Sequence, residues 1–120
     1  MFEITGEIEI PDSIRCKLAE KGGIAEIAGL LPDNQKIRAI VSVARALSDP
    51  VRVKVIFALF MQPMCVCLLV AMTGYAYSKM SYHLSVLKEG DLVCSRQEGN
   101  YLIYYPTDLG RKVVEGFKGW

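Results

Sequence analysis

Cys65 and Cys67 stand two residues apart in the apolar run MCVCLL, residues 64–69. Thiolates are soft donors that favour trivalent arsenic and antimony, cadmium, lead, copper(I) and zinc. In a regular helix, positions i and i+2 point about 200° apart. The pair therefore grips one small ion only if the helix unwinds locally, or if both thiols sit in its ragged first turn. A helix N-terminus would also favour the reactive thiolate. The plain alternative is two core-filling cysteines, since free Cys is among the most buried residue types. Two donors are few for tight binding, and Cys16 is the candidate third. Its competing reading is a partly buried helix residue. Met64 reads as packing. Cys94 reads as structural, on the side of a strand shared with Leu92.

The setting of these thiols follows from the whole chain. It has 120 residues, 52% of them hydrophobic, which suits one compact domain with a partner surface. No apolar run reaches the roughly 20 residues of a membrane span. The start MFEITGEIEIPD lacks the basic and apolar segments of a signal peptide. The expected location is the cytoplasm, with no membrane partner. Four cysteines there imply metal binding, redox chemistry or burial rather than structural disulfides. An enzyme is not expected: a thiol oxidoreductase needs Cys-x-x-Cys or a nucleophile with a base, and the chain has one His. Charge is uneven. Residues 1–32 carry three basic and six acidic side chains, and residues 33–62 carry five basic and two acidic.

Punctuation at Gly22-Gly23, Pro50, Gly74, Gly90 and Gly99 separates mostly helical segments. PDSIRCKLAE offers Asp12 or Ser13 as a helix cap, with Gly22-Gly23 as the stop. DNQKIRAIVSVARALSD reads as a longer helix with Ile37, Ile40, Val41 and Ala44 on one side. DPVRVKVIFALF restarts with Asp49 as cap and Pro50 at the first helical position. Val53, Ile56, Phe57 and Phe60 give it an inward stripe, widened by Val55 and Leu59. MCVCLLVAMTG reads as a short helix ending at Gly74, and YSKMSYHLSVLKEG as another, closed by Gly90. In the latter, Met80, Leu84 and Leu87 face inward. Ser78, Ser81, Tyr82 and Ser85 form an outer face without charge, suited to close approach to base edges and phosphates.

After Gly90 the period becomes two. DLVCSRQ alternates, EGN turns and YLIYY alternates back, a hairpin with Gly99 at its tip. A last amphipathic helix starts near Thr107 or Asp108. The expected fold is mainly α with a small β-hairpin, a winged helix-turn-helix. Residues 1–32 form an arm with short helices, and residues 33–120 the DNA-binding and dimerisation domain.

The runs ALSDPVRVKVIFALF, MCVCLLVAMTG and YSKMSYHLSVLKEGDLVCSRQEGNYLIYY resemble the ArsR/SmtB repressors over roughly residues 37–107. The resemblance implies a homodimer that binds double-stranded palindromic operator DNA and leaves it when a soft ion binds, of the As(III)/Sb(III), Cd, Pb or Zn type, with no organic cofactor. It places metal ligands at Cys65 and Cys67. The family box Glu-Leu-Cys-Val-Cys-Asp-Leu keeps both cysteines here but loses its flanking carboxylates. The family's second site, built from Asp and His on the last helix, has no His here. DNA contacts are expected from Tyr77, Ser78, Lys79, Ser81 and Tyr82, the last standing where the family often has Arg. Arg96, Gln97 and Asn100 on the wing are expected to reach the minor groove or phosphates. Leu109, Val113, Phe117 and Trp120 are expected at the dimer interface, and His83 in the packing. Two other readings stay open: the same repressor responding to thiol oxidation or reactive sulfur, or a winged-helix module that binds protein.

Overall fold

The structure, a computed structural model, describes residues 8–120, so the first seven residues of the arm lie outside it. The chain packs as two units, one ending at Ile37 and one of Arg38–Trp120. The first holds α1 (Asp12–Glu20) and α2 (Ile24–Gly29), neither with a fully buried residue. Pro11, rather than Asp12 or Ser13, occupies the cap position of α1, and no side chain closes that end. Asp12 instead stands in the first turn, where a carboxylate meets the positive end of the helix dipole. Gly22 and Gly23 adopt positive φ of 94° and 98° and end the helix as expected.

The second unit holds α4 (Pro50–Met61), β1 (Met64–Cys65), α5 (Val66–Thr73), α6 (Tyr77–Glu89), β2 (Val93–Glu98), β3 (Tyr101–Pro106) and α7 (Asp108–Phe117). It also takes in α3 (Asn34–Ala46) from Arg38 onward. α4 begins as its sequence dictates: Asp49 Oδ1 accepts from the Val51 N–H at 2.8 Å, and Pro50 opens the helix. It is the centre of the core, packed on α6, α7 and β3. Its inward face differs from the expected stripe at Val53. Val51, Val55, Ile56, Ala58 and Leu59 are buried, Phe57 and Phe60 are half-buried, and Val53 is exposed. Val53 apart, the expected stripe faces inward, and the helix also buries Arg52. Its side chain is 8% exposed, with Nε donating to the Ala46 carbonyl at 2.7 Å and an amino group 2.9 Å from His83 Nδ1. A guanidinium only donates, so His83 accepts through Nδ1 and carries its proton on Nε2. One buried cation thus ties the end of α3, the start of α4 and the middle of α6.

MCVC is not one helix. Met64 and Cys65 form β1, which pairs antiparallel with β3 in the registers Met64↔Tyr104 and Cys65↔Ile103. The expected hairpin is therefore part of a three-stranded sheet of order β1-β3-β2. Gly99 and Asn100 make the two-residue turn, Gly99 at φ 63°. Leu92 and Val93 are both buried while Cys94 is exposed, so Cys94 has no packing role in the core. Gly90 caps α6, but the left-handed residue is Asp91 at φ 62°. Gly90 answers to space instead: an added Cβ would lie 3.0 Å from the Ala46 Cβ. Gly110 is tighter still, with an added Cβ 2.2 Å from the Leu92 carbonyl oxygen. That close approach lets α7 settle on the end of α6, where Thr107 caps α7 and bonds the Asp91 carbonyl.

Candidate functional site

The β1–α5 junction positions the thiols. Cys65 has extended backbone and is the cap residue of α5, while Cys67 is the second helical residue. The 200° divergence of a regular helix does not apply across that boundary, and the two Sγ atoms are 2.7 Å apart. Cys65 is half-buried and Cys67 exposed. The Cys67 S–H donating to Cys65 lowers the Cys65 pKa from the ordinary thiol value, and the Leu68 N–H adds to this. The same pairing raises the Cys67 pKa, and desolvation adds to that rise. The arrangement is a close pair of thiols, a two-sulfur donor set suited to a soft ion. Among the described residues, no group of three or more His, Cys, Asp or Glu side chains is placed to hold a metal ion. Cys16 is exposed on α1 in the other unit.

α5, the Gly74-Tyr75-Ala76 turn and α6 form the helix-turn-helix. Gly74 takes φ 78°, and its N–H bonds the Val70 carbonyl at 2.8 Å, ending α5 in the left-handed manner. Met80, Leu84 and Leu87 anchor α6 with no exposed surface. The opposite face is open: Tyr77, Ser78, Lys79, Ser81, Tyr82 and Ser85 are all exposed. Ala76 precedes α6 without a side-chain cap, so the first-turn N–H groups are left for water or an acceptor from outside.

On the wing, Arg96 lies 4.2 Å over the Tyr105 ring, and the Tyr105 hydroxyl bonds Glu98. That bond raises the Tyr105 pKa. Gln97 reaches back to the Gly99 carbonyl at 3.0 Å, while Asn100 is exposed at the turn. Lys88 Nζ bonds Ser95 Oγ at 2.8 Å and fastens α6 to the wing. Arg52 was not among the sequence candidates. Its signal was the Asp-Pro-x-Arg run, where a cation two residues past a helix start interrupts an apolar segment. His83 is in the packing as expected, as the partner of that cation.

The thiols and the helix-turn-helix meet in one cleft of about 550 Å³. Cys65, Cys67 and Val66 form one wall, Tyr77 and Ser81 of α6 a second, and the wing residues Gln97, Asn100 and Tyr101 a third. On the far side, Leu47, Val53, Phe57, Val113, Phe117 and Trp120 line an apolar groove of about 440 Å³. Phe117 and Trp120 stack edge to face there, and Trp120 is 95% exposed.

Residues 49–95, from the cap of α4 into β2, match the model of the bacterial regulatory protein arsR family. Over that segment the chain is similar to the arsR family. A relative is the uncharacterized HTH-type transcriptional regulator MJ1325 of Methanocaldococcus jannaschii, 29% identical over 75 residues, spanning 62% of this chain and 84% of that one. HlyU from Vibrio cholerae has a similar structure, with a TM-score of 0.64 at 20% identity, covering 69% of this chain and 91% of HlyU. So does the homodimeric winged helix-turn-helix domain Mb0332 from Mycobacterium bovis, with a TM-score of 0.63 at 22% identity over 72% of this chain and 83% of that one. The match and these neighbours share the winged helix-turn-helix fold described above. No helix among the described residues is long and apolar enough to cross a membrane.

Proposed function

We propose that this protein is an ArsR-type repressor that leaves its operator when a soft metal or metalloid ion, of the As(III)/Sb(III), Cd or Pb type, is held by Cys65 and Cys67. The observation that carries the reading is the shared cleft: the thiol pair and the first turns of α6 face the same space. α6 enters the major groove with Tyr77, Ser78, Lys79, Ser81 and Tyr82, and Arg96, Gln97 and Asn100 reach the flanking backbone or minor groove. A second copy covers the apolar groove through Leu109, Val113, Phe117 and Trp120, giving a homodimer that reads two half-sites. Cys16 of the arm is the proposed third donor. An ion drawn between the sulfurs displaces their shared proton and pulls on the first turn of α5, which leads directly into the reading helix.

The test is a gel shift on the DNA upstream of the protein's own gene, with arsenite added to the reduced protein. Arsenite should release wild type and leave the Cys65→Ser, Cys67→Ser double variant bound. Equal release of both would overturn the site. Lys79→Ala should lower the slope of log affinity against log salt by about one. An unchanged slope would remove Lys79 from the phosphate contacts.

A further inference from the structure

His83 is the chain's single histidine, and its Nδ1 lies 2.9 Å from an amino group of the buried Arg52. A guanidinium has only donors, so this bond exists only while Nδ1 carries no proton. A proton there would set two cations against each other at the edge of the core. α6 packs on α4, α5 and β2. The other titratable groups of these elements are engaged elsewhere or open to solvent. Lys54 lies over the Tyr75 ring, Cys67 is beside Cys65, Arg96 lies over Tyr105, Glu98 holds the Tyr105 hydroxyl, and Cys94 is exposed. Asp49 is taken up by the Val51 N–H, and Arg45, Lys79 and Glu89 are exposed. The one ion pair among the described residues is Lys118–Glu115, so no carboxylate is paired with Arg52 or a charged His83. Tyr82, a proposed DNA contact, has its ring 5.6 Å from that of His83.

We propose that His83 is a positioning residue for DNA binding, and that its protonation unlocks α6 and releases the operator in mild acid. The inference rests on the DNA-binding reading above but on neither thiol. His83 takes one proton from water at Nδ1, and its half-buried ring turns toward solvent. Arg52 then keeps only the Ala46 carbonyl, and the middle of α6 loses its tie to α4. Lys79 and Tyr82, on the adjoining turn, lose their fixed position with it. The direction of the effect is diagnostic. Acid makes any protein more positive, and phosphate attraction alone would tighten binding. The bond predicts the reverse, over the range of about pH 5 to 8 in which histidine ordinarily changes charge.

The test is anisotropy of rhodamine-labelled DNA from upstream of the gene, at fixed ionic strength from pH 7.5 to 5.5, with circular dichroism at each pH. Wild type should lose about tenfold in affinity, within the limit of about tenfold per pH unit for one coupled proton. Its helix content should be kept, and return to pH 7.5 should restore binding. His83→Asn keeps an oxygen acceptor near the Nδ1 position and does not titrate, so its affinity should hold or rise over the same range. His83→Leu strands Arg52 at every pH and should bind weakly throughout. Wild-type affinity that holds or rises in acid overturns the proposal whatever the variants do. An equal fall in His83→Asn overturns it too, as does loss of helix content at pH 5.5. Failure of wild type to bind DNA at pH 7.5 overturns the repressor reading instead. Urea unfolding then still tests the bond, since acid should destabilise wild type more than His83→Asn.

Discussion

Two thiols that share a proton titrate as a pair: the first proton leaves early and the second late, because each state of Cys65 acts on Cys67. The sign of the pH dependence follows. Between the two steps the pair carries one negative charge and one proton. An ion that needs both thiolates must expel that proton, so affinity should rise with pH, by about tenfold per unit where one proton is released. Ion titrations between neutral and mildly alkaline pH check this, and a flat profile would mean that binding displaces no thiol proton. At the same scale, Arg52→Ala should leave the Ala46 carbonyl and His83 Nδ1 without their donor, inside the core. A loss of about 2–4 kcal/mol in urea unfolding is expected from two stranded acceptors and lost packing. DNA binding should weaken as well, since His83 belongs to the reading helix.

At the scale of elements, the closest fit is between α7 and the residues that follow α6. Gly110→Ala drives a methyl into the Leu92 carbonyl. The resulting shift of α7 should cost about 2–3 kcal/mol in thermal or urea unfolding. Gly116, with open space around it, is the control, and Gly116→Ala should not destabilise the protein. The elements also divide by what a sequence can reveal. The Asp49-Pro50 start, the Gly74 stop, the Gly99 turn and the Thr107 start were legible because each depends on local backbone chemistry. β1 was not. Two residues have no period to detect, and Met64-Cys65 is a strand only because β3 lies beside it. The buried Arg52 on α4 was hidden for a similar reason. Burial of Arg52 is set by a carbonyl six residues earlier and a ring 31 residues later, neither visible as periodicity. The thiol pair was legible as a pair, and its position in a first turn was one of two alternatives. Its cleft was not legible, because the walls come from α6 and the wing.

At the scale of the whole molecule, the apolar groove around Phe117 and Trp120 is the surface that most needs cover. On the proposed dimer, Phe117→Glu should shift sedimentation toward a monomer and weaken operator binding by more than tenfold, since the two proposed half-sites would be read only together. An unchanged sedimentation coefficient would place the interface elsewhere. Exposed Ile40 and Val41 on α3, at 53% and 46% exposure, form the second apolar surface to test in the same way.

The two-residue strand has a consequence for how such a protein diverges. Cys65 ends a strand, caps a helix and supplies a sulfur, so a substitution there meets three demands at once. Cys67 meets one, and the cleft residues Ser81, Gln97 and Asn100 are bound by none of those three. A lineage acquiring a new effector from this starting point therefore has its most accessible step at Cys67, since the opposite walls also serve the proposed DNA contacts. Cys65 would be the last position to change.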